Sequence, residues 1–154
     1  MKNNEIIKAL SSAAQELKKT LREEFTGMIL FGSWARGEER EKSDVDVFIV
    51  LRNAKGLKIR SRIYKVIVKH VKKPVTLIDA RLNELLEEKL ELTPLLINII
   101  ADAVIIYDEN SILKSFVEKG RKLIEEAELI RYKTPDGKYG WKRKDSKPIS
   151  EVMI

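Results

Sequence analysis

The sequence has no cysteine among its 154 residues, which excludes disulfides and thiolate metal sites. It has a single histidine, His70, so a clustered-imidazole metal site is excluded too. His70 lies among lysines near the end of a helical stretch. Positive neighbours there disfavour its charged form, and a packing or solvent role is expected. No apolar run reaches membrane-spanning length, and Met1 is followed by polar residues, which points to a cytoplasmic protein with neither membrane span nor signal peptide. Internal repeats and low-complexity segments are absent as well. Acidic residues are the minority: 24 against 30 Lys and Arg, for a net charge of +6. That balance fits an anionic ligand such as a nucleotide or nucleic acid, and equally a basic solvated surface. With 44% hydrophobic residues the chain can bury a core, and its length suits one domain.

What is present concentrates in residues 28–51. Two apolar runs, 28–31 and 47–51, read as strands. Between them lie Gly32-Ser33, a charged connection over 34–42, and Ser43-Asp44-Val45-Asp46. Side chains alternate along a strand, so Asp44 and Asp46 share a face while Val45, Val47 and Ile49 point into a core. Adjacent carboxylates raise each other's pKa, and a cation between them relieves the repulsion. Oxygen donors without Cys or clustered His suit a hard ion, Mg²⁺ or Mn²⁺. Gly32 has no Cβ and lets the backbone approach a ligand. Ser33 offers a hydroxyl and an N–H at the start of a short helix, where phosphate is favoured. Together these features describe a site for metal-assisted phosphoryl or nucleotidyl transfer.

Gly32-Ser33-Trp34-Ala35-Arg36-Gly37 followed by Ser43-Asp44-Val45-Asp46 resembles the signature of the DNA polymerase beta-like nucleotidyltransferase superfamily, and the short chain resembles its minimal members. The resemblance implies an α/β (α+β) fold, a small mixed sheet flanked by helices. It implies that Asp44 and Asp46 bind two divalent ions, that Gly32 and Ser33 hold the β and γ phosphates of an NTP, and that an acceptor hydroxyl attacks the α-phosphorus with release of pyrophosphate. Arg36 becomes a candidate to neutralise developing charge, and Ser43 to fix the carboxylates from behind.

Elsewhere the pattern is mostly that of a scaffold. Residues 4–24 read as an amphipathic helix, with Ile6, Leu10, Ala13, Leu17 and Leu21 on one face and Asn3 or Asn4 as cap. Residues 57–72 read as a second helix, with Leu57, Ile63, Ile67 and Val71 inward and Tyr64 beside them. Its polar positions are nearly all Lys or Arg, a groove wall for triphosphate or polynucleotide or a solvated face. Residues 74–79 read as a third strand. The superfamily resemblance implies a third acid on it, but Thr76 stands at the matching position. Asp79, three residues on, is turned to the opposite face by alternation unless a bulge re-aims it. Either the site works with two acids, or an acid comes from elsewhere, or the chain is a weak or silent catalyst. A helix is expected over 82–92, buried through Leu82, Leu85, Leu86 and Leu90, then a short one capped by Thr93 with Pro94 at its first position. An edge strand over 104–107 and a helix from a Ser111 cap to about residue 130 complete a domain spanning 1–130.

Residues 131–154 form a basic extension with Tyr132, Tyr139 and Trp141 and a Pro135-Asp136-Gly137 turn. They read as a tail or hairpin laid over the domain, or as a base-stacking surface. The expected function is metal-dependent transfer of a nucleoside monophosphate from an NTP to a hydroxyl. Two alternatives stand beside it. One is an antitoxin-like protein bound to a small helical partner, a pairing the resemblance implies. The other is a module binding RNA or DNA through its basic helix and tail.

Overall fold

The apolar stripe near the N-terminus becomes α1, Asn3–Leu21, which buries Ile6, Leu10, Ala13, Ala14 and Leu17. A 3-10 turn, Arg22–Glu24, carries the chain into β1, Phe25–Phe31. The computed structural model describes residues 3–87 and 90–145. After β1 come a one-turn helix α2, Ser33–Arg36, then β2, Val45–Leu51, α3, Leu57–Val71, and β3, Val75–Arg81. One turn, α4 (Leu82–Leu85), precedes α5, Pro94–Asp102, β4, Val104–Asp108, and α6, Ile112–Glu126. A hairpin of β5, Leu129–Lys133, and β6, Tyr139–Arg143, follows.

The main sheet is mixed, in the order β3-β2-β1-β4. β1 is antiparallel to both β2 and β4, and β2 is parallel to β3. Strand alternation sends Val45, Val47, Ile49 and Leu51 to one face, where they pack with α1 and α3. Phe48 and Val50 face the other way, with Ile97, Ile100, Leu113 and Phe116 of α5 and α6. Because both faces of β1 and β2 are covered, their sequences read as continuous apolar runs. The mixed α+β architecture is the one expected. Among the described residues no helix is long and apolar enough to cross a membrane.

Several expected boundaries move. The helix expected over 82–92 lasts one turn. Leu86 is 63% exposed, while Leu92 is drawn into the core beside α5, and residues 88–89 lie outside the described ones. Helix α6 stops at Glu126 rather than near 130, because Glu128 takes a left-handed φ of 52° and Leu129 enters the hairpin. Ser111 does not cap α6. The Asp108 carboxylate does, accepting from the Leu113 and Lys114 amides at 2.7 and 2.8 Å. Leu57, expected inward, is 83% exposed at the start of α3. Thr93 caps α5 as expected, accepting from the Leu96 amide.

Candidate active site

The turn after β1 is set by Gly32, whose φ of 78° and ψ of −159° belong to a region other residues rarely enter. Its carbonyl accepts from the Ala35 and Arg36 amides, both at 3.1 Å, and the Ser33 carbonyl accepts from the Glu38 amide at 2.9 Å. This hydrogen bonding winds α2 directly off the end of β1. Gly37, left-handed at φ 74°, ends it. Trp34 is buried, and its indole N–H donates to the Ser43 carbonyl at 3.1 Å. The charged connection is thereby tied to the corner.

Register then carries the carboxylates to that corner. Asp46 pairs with Phe31 on one side and Thr76 on the other. A Cβ on Gly32 would overlap the Asp46 carboxylate, so the glycine corner and the acid lie in direct contact. Asp44 is exposed just before β2, and the Thr76 hydroxyl donates to its Oδ2 at 3.2 Å. Burial pushes the Asp46 carboxyl up to about 6; the negative charges of Asp44 and Asp102 add to this, while the Thr76 hydroxyl and the Arg36 guanidinium oppose it. Thr76 has one proton facing both acids, and the bond that its geometry makes is to Asp44.

Thr76 therefore stands beside the pair, where a third acid was expected. Asp79 does not. It lies opposite Ile49, on the other face, and is held by Arg60 of α3 and, at 2.7 Å, by Arg81. The Ser43 hydroxyl accepts from the Arg40 amide at 2.8 Å. Ser33 sits at the corner itself. His70 is bonded to Glu16 of α1 at 2.9 Å.

The opposite wall of the site joins Arg36 to residues that lie outside the motif. Arg36 donates to Asp102 Oδ2 at 2.7 Å, and Arg131 of the hairpin reaches Asp102 Oδ1 at 2.7 Å and Oδ2 at 3.1 Å. Asp102 has 3% side-chain exposure and so joins α2, α5 and the hairpin at one buried carboxylate. Asn98, one turn earlier on α5, accepts from Arg131 at 3.1 Å and from the Trp141 indole at 2.7 Å. The Tyr139 ring lies under both guanidiniums, 4.7 Å from Arg36 and 4.6 Å from Arg131. All three extension aromatics are thus engaged by the protein's own groups, Tyr132 by the Lys142 ammonium 5.8 Å from its ring, although it remains 42% exposed. One signal was available: Asn98 and Asp102 are polar residues four apart on an otherwise apolar helix. Between these walls lies a cleft of about 300 Å³ reached by Gly32, Ser33, Asp46, Asp102, Lys138 and Tyr139.

Among the described residues no group of three His, Cys, Asp or Glu side chains is placed to hold a metal. Asp44 and Asp46 offer a pair of hard oxygen donors, one of them partly desolvated. That set fits Mg²⁺ or Mn²⁺, which take one or two carboxylates and complete their shell with water and substrate phosphate.

The profile of a nucleotidyltransferase domain matches residues 14–123. A candidate protein adenylyltransferase of Methanocaldococcus jannaschii is 37% identical over 62 residues, 40% of this chain and 63% of that relative. A second from the same organism is 28% identical over 126 residues, 79% of this chain and 84% of that relative. The chain thus spans less than two thirds of the first of these relatives and most of the second. Among solved structures, a toxin–antitoxin with AMP-PNP superposes with a TM-score of 0.53 at 14% identity, over 75% of this chain and 87% of that one. A mutant of the toxin–antitoxin MntA–HpeT gives 0.52 at 15% identity, over 82% and 89%. At such identities the likeness is one of fold.

Proposed function

The chain belongs to the nucleotidyltransferase domain family, and we propose that it transfers the nucleoside monophosphate of an NTP, AMP foremost, to a hydroxyl of a protein acceptor. The observation that carries this reading is the contact between Gly32 and Asp46. It supports a phosphate seat and a metal carboxylate side by side, as attack on an α-phosphorus requires.

In this reading Gly32 and Ser33 seat the β and γ phosphates, and Asp44 and Asp46 hold the cation. The bound ion supplies charge stabilisation to the triphosphate and the attacking oxygen. Two carboxylates account for one Mg²⁺ or Mn²⁺; a second ion would draw most of its ligands from the phosphates. The acceptor oxygen forms its bond to the α-phosphorus, the bond to the bridging oxygen breaks, and pyrophosphate leaves. The acceptor proton is lost to solvent at the exposed Asp44 side, because Thr76 carries no basic group. Arg36 is fixed by Asp102 and acts through its position and charge beside Asp46.

The choice of AMP and of a protein acceptor is supported by the activity for which both M. jannaschii relatives are named. A small helical partner is the proposed acceptor, supported by the toxin–antitoxin neighbours. The test is incubation with each labelled NTP and Mg²⁺, with and without a co-purified partner, reading pyrophosphate release and label on protein. Partner-dependent release from ATP alone is expected. A stable partner complex with no transfer from any NTP would leave an antitoxin-like binding protein, the reading that Thr76 in place of an acid favours.

A further inference from the structure

We propose that the β5–β6 hairpin is a built wall of the nucleotide site and that Lys138, at its turn, is the ligand for the terminal phosphates. This rests on the reading of the cleft as a nucleotide site. The hairpin lies beyond the matched nucleotidyltransferase residues, yet its turn faces the same cleft as Gly32, Ser33 and Asp46.

Charge decides which hairpin residue is available. A triphosphate at this corner meets Asp46 and Asp44, so it needs cations from the protein as well as from metal. Two arginines stand close by, but both are committed to Asp102. Arg131 gives both terminal nitrogens to Asp102, while Arg36 gives Nη1 to Asp102 and its Nε lies 3.5 Å from the Glu38 carboxylate, so acids of the protein already offset both charges. Lys138 is exposed, and among the described residues its ammonium has no ion-pair partner, although Asp136 lies near enough to sense its charge. Of the cations lining the cleft it is the one that no carboxylate among the described residues pairs with.

The backbone of Lys138 is held while its side chain is not. The Thr134 amide donates to the Lys138 carbonyl at 2.7 Å, and the Lys138 amide donates to the Thr134 hydroxyl at 3.1 Å. The Gly137 amide closes the turn onto the Thr134 carbonyl at 2.9 Å. At the other end, Arg131 and Trp141 anchor the hairpin to Asp102 and Asn98 of α5. On a pre-formed turn the ligand loses side-chain entropy but little backbone entropy when it engages phosphate.

The experiment is calorimetric titration of AMP-PNP and of AMP, each with Mg²⁺, into the whole chain and its variants. Lys138→Ala is expected to weaken AMP-PNP about tenfold or more, the loss of a charge-assisted contact, and to leave AMP within about twofold, since the lost contact is to phosphates that AMP lacks. Lys138→Arg is expected to restore binding, and an unchanged melting curve shows that the exposed turn tolerates both variants. Unchanged or tighter AMP-PNP binding in Lys138→Ala overturns the proposal, the latter because the hairpin would then be an obstruction. Equal losses for AMP and AMP-PNP overturn it as well. If the unaltered chain binds neither nucleotide, the reading of the cleft fails first and the clamp falls with it; binding that ignores Lys138 sinks the clamp alone.

Discussion

The Asp46 carboxylate fills the space into which a Cβ on Gly32 would project. Two segments separated by a charged loop thus meet so closely that one must lack a side chain. Gly32→Ala is expected to destabilise the fold by about 1–3 kcal/mol, from backbone strain at this φ and ψ. It should also push Asp46 out of place, lowering transfer about a hundredfold, as a misplacement of roughly 1 Å does in a positioned site. A thermal melt with a single-turnover assay checks both, and an active Gly32→Ala protein would contradict the close contact.

Asp46 links pH to stability. Its folded pKa, about 6, lies above the ordinary carboxylate value, so the folded state binds the extra proton between roughly pH 4 and 6. Stability from this group is fully present below the unfolded value and is lost as pH rises through about 6. Asp46→Asn should therefore raise the melting temperature of metal-free protein at pH 7 and change it little near pH 4. The same variant should abolish transfer and remove any stabilisation by Mg²⁺.

Thr76 is in register with Asp46 and bonded to Asp44, so Thr76→Asp places a third carboxylate in the group. Metal-free protein should lose stability through mutual repulsion. Mg²⁺ should then raise the melting temperature more steeply than in the unaltered chain. A flat response to Mg²⁺ would mean that residue 76 does not face the cation.

Asp102 pairs with two guanidiniums that each keep 21% side-chain exposure. Asp102→Ala should cost about 3 kcal/mol, the low end for orphaning one side of a buried ion pair, because both arginines retain some water. Loss of that anchor should also expose the hairpin. Faster protease cleavage near residues 129–143, at a temperature where α1 to α6 remain folded, is the expected sign.

Much of this was legible beforehand because it is local. Residue type and strand alternation single out Gly32, Ser33, Asp44 and Asp46, and the superfamily resemblance singles out Thr76 on the third strand. The same alternation puts Asp79 on the far face, where Arg60 and Arg81 hold it. Observed and expected elements part where a local signal is outvoted. Residues 82–92 have a helical stripe, but the helix lasts one turn and Leu92 is buried beside α5. Ser111 looks like a cap, but two acceptor oxygens on Asp108 capture the orphan amides first.

Sequence alone determined the chemistry of one wall: a turn only glycine can make, and two acids brought to it by strand pairing of the segments on either side. Tertiary structure decided the other wall. Asp102, Arg36 and Arg131 come from segments up to 95 positions apart (131 minus 36), and no periodicity records which buried acid will meet which arginine. That pairing is selected by desolvation, which makes an unpartnered charge too costly to keep inside, and only the assembled core determines where inside is.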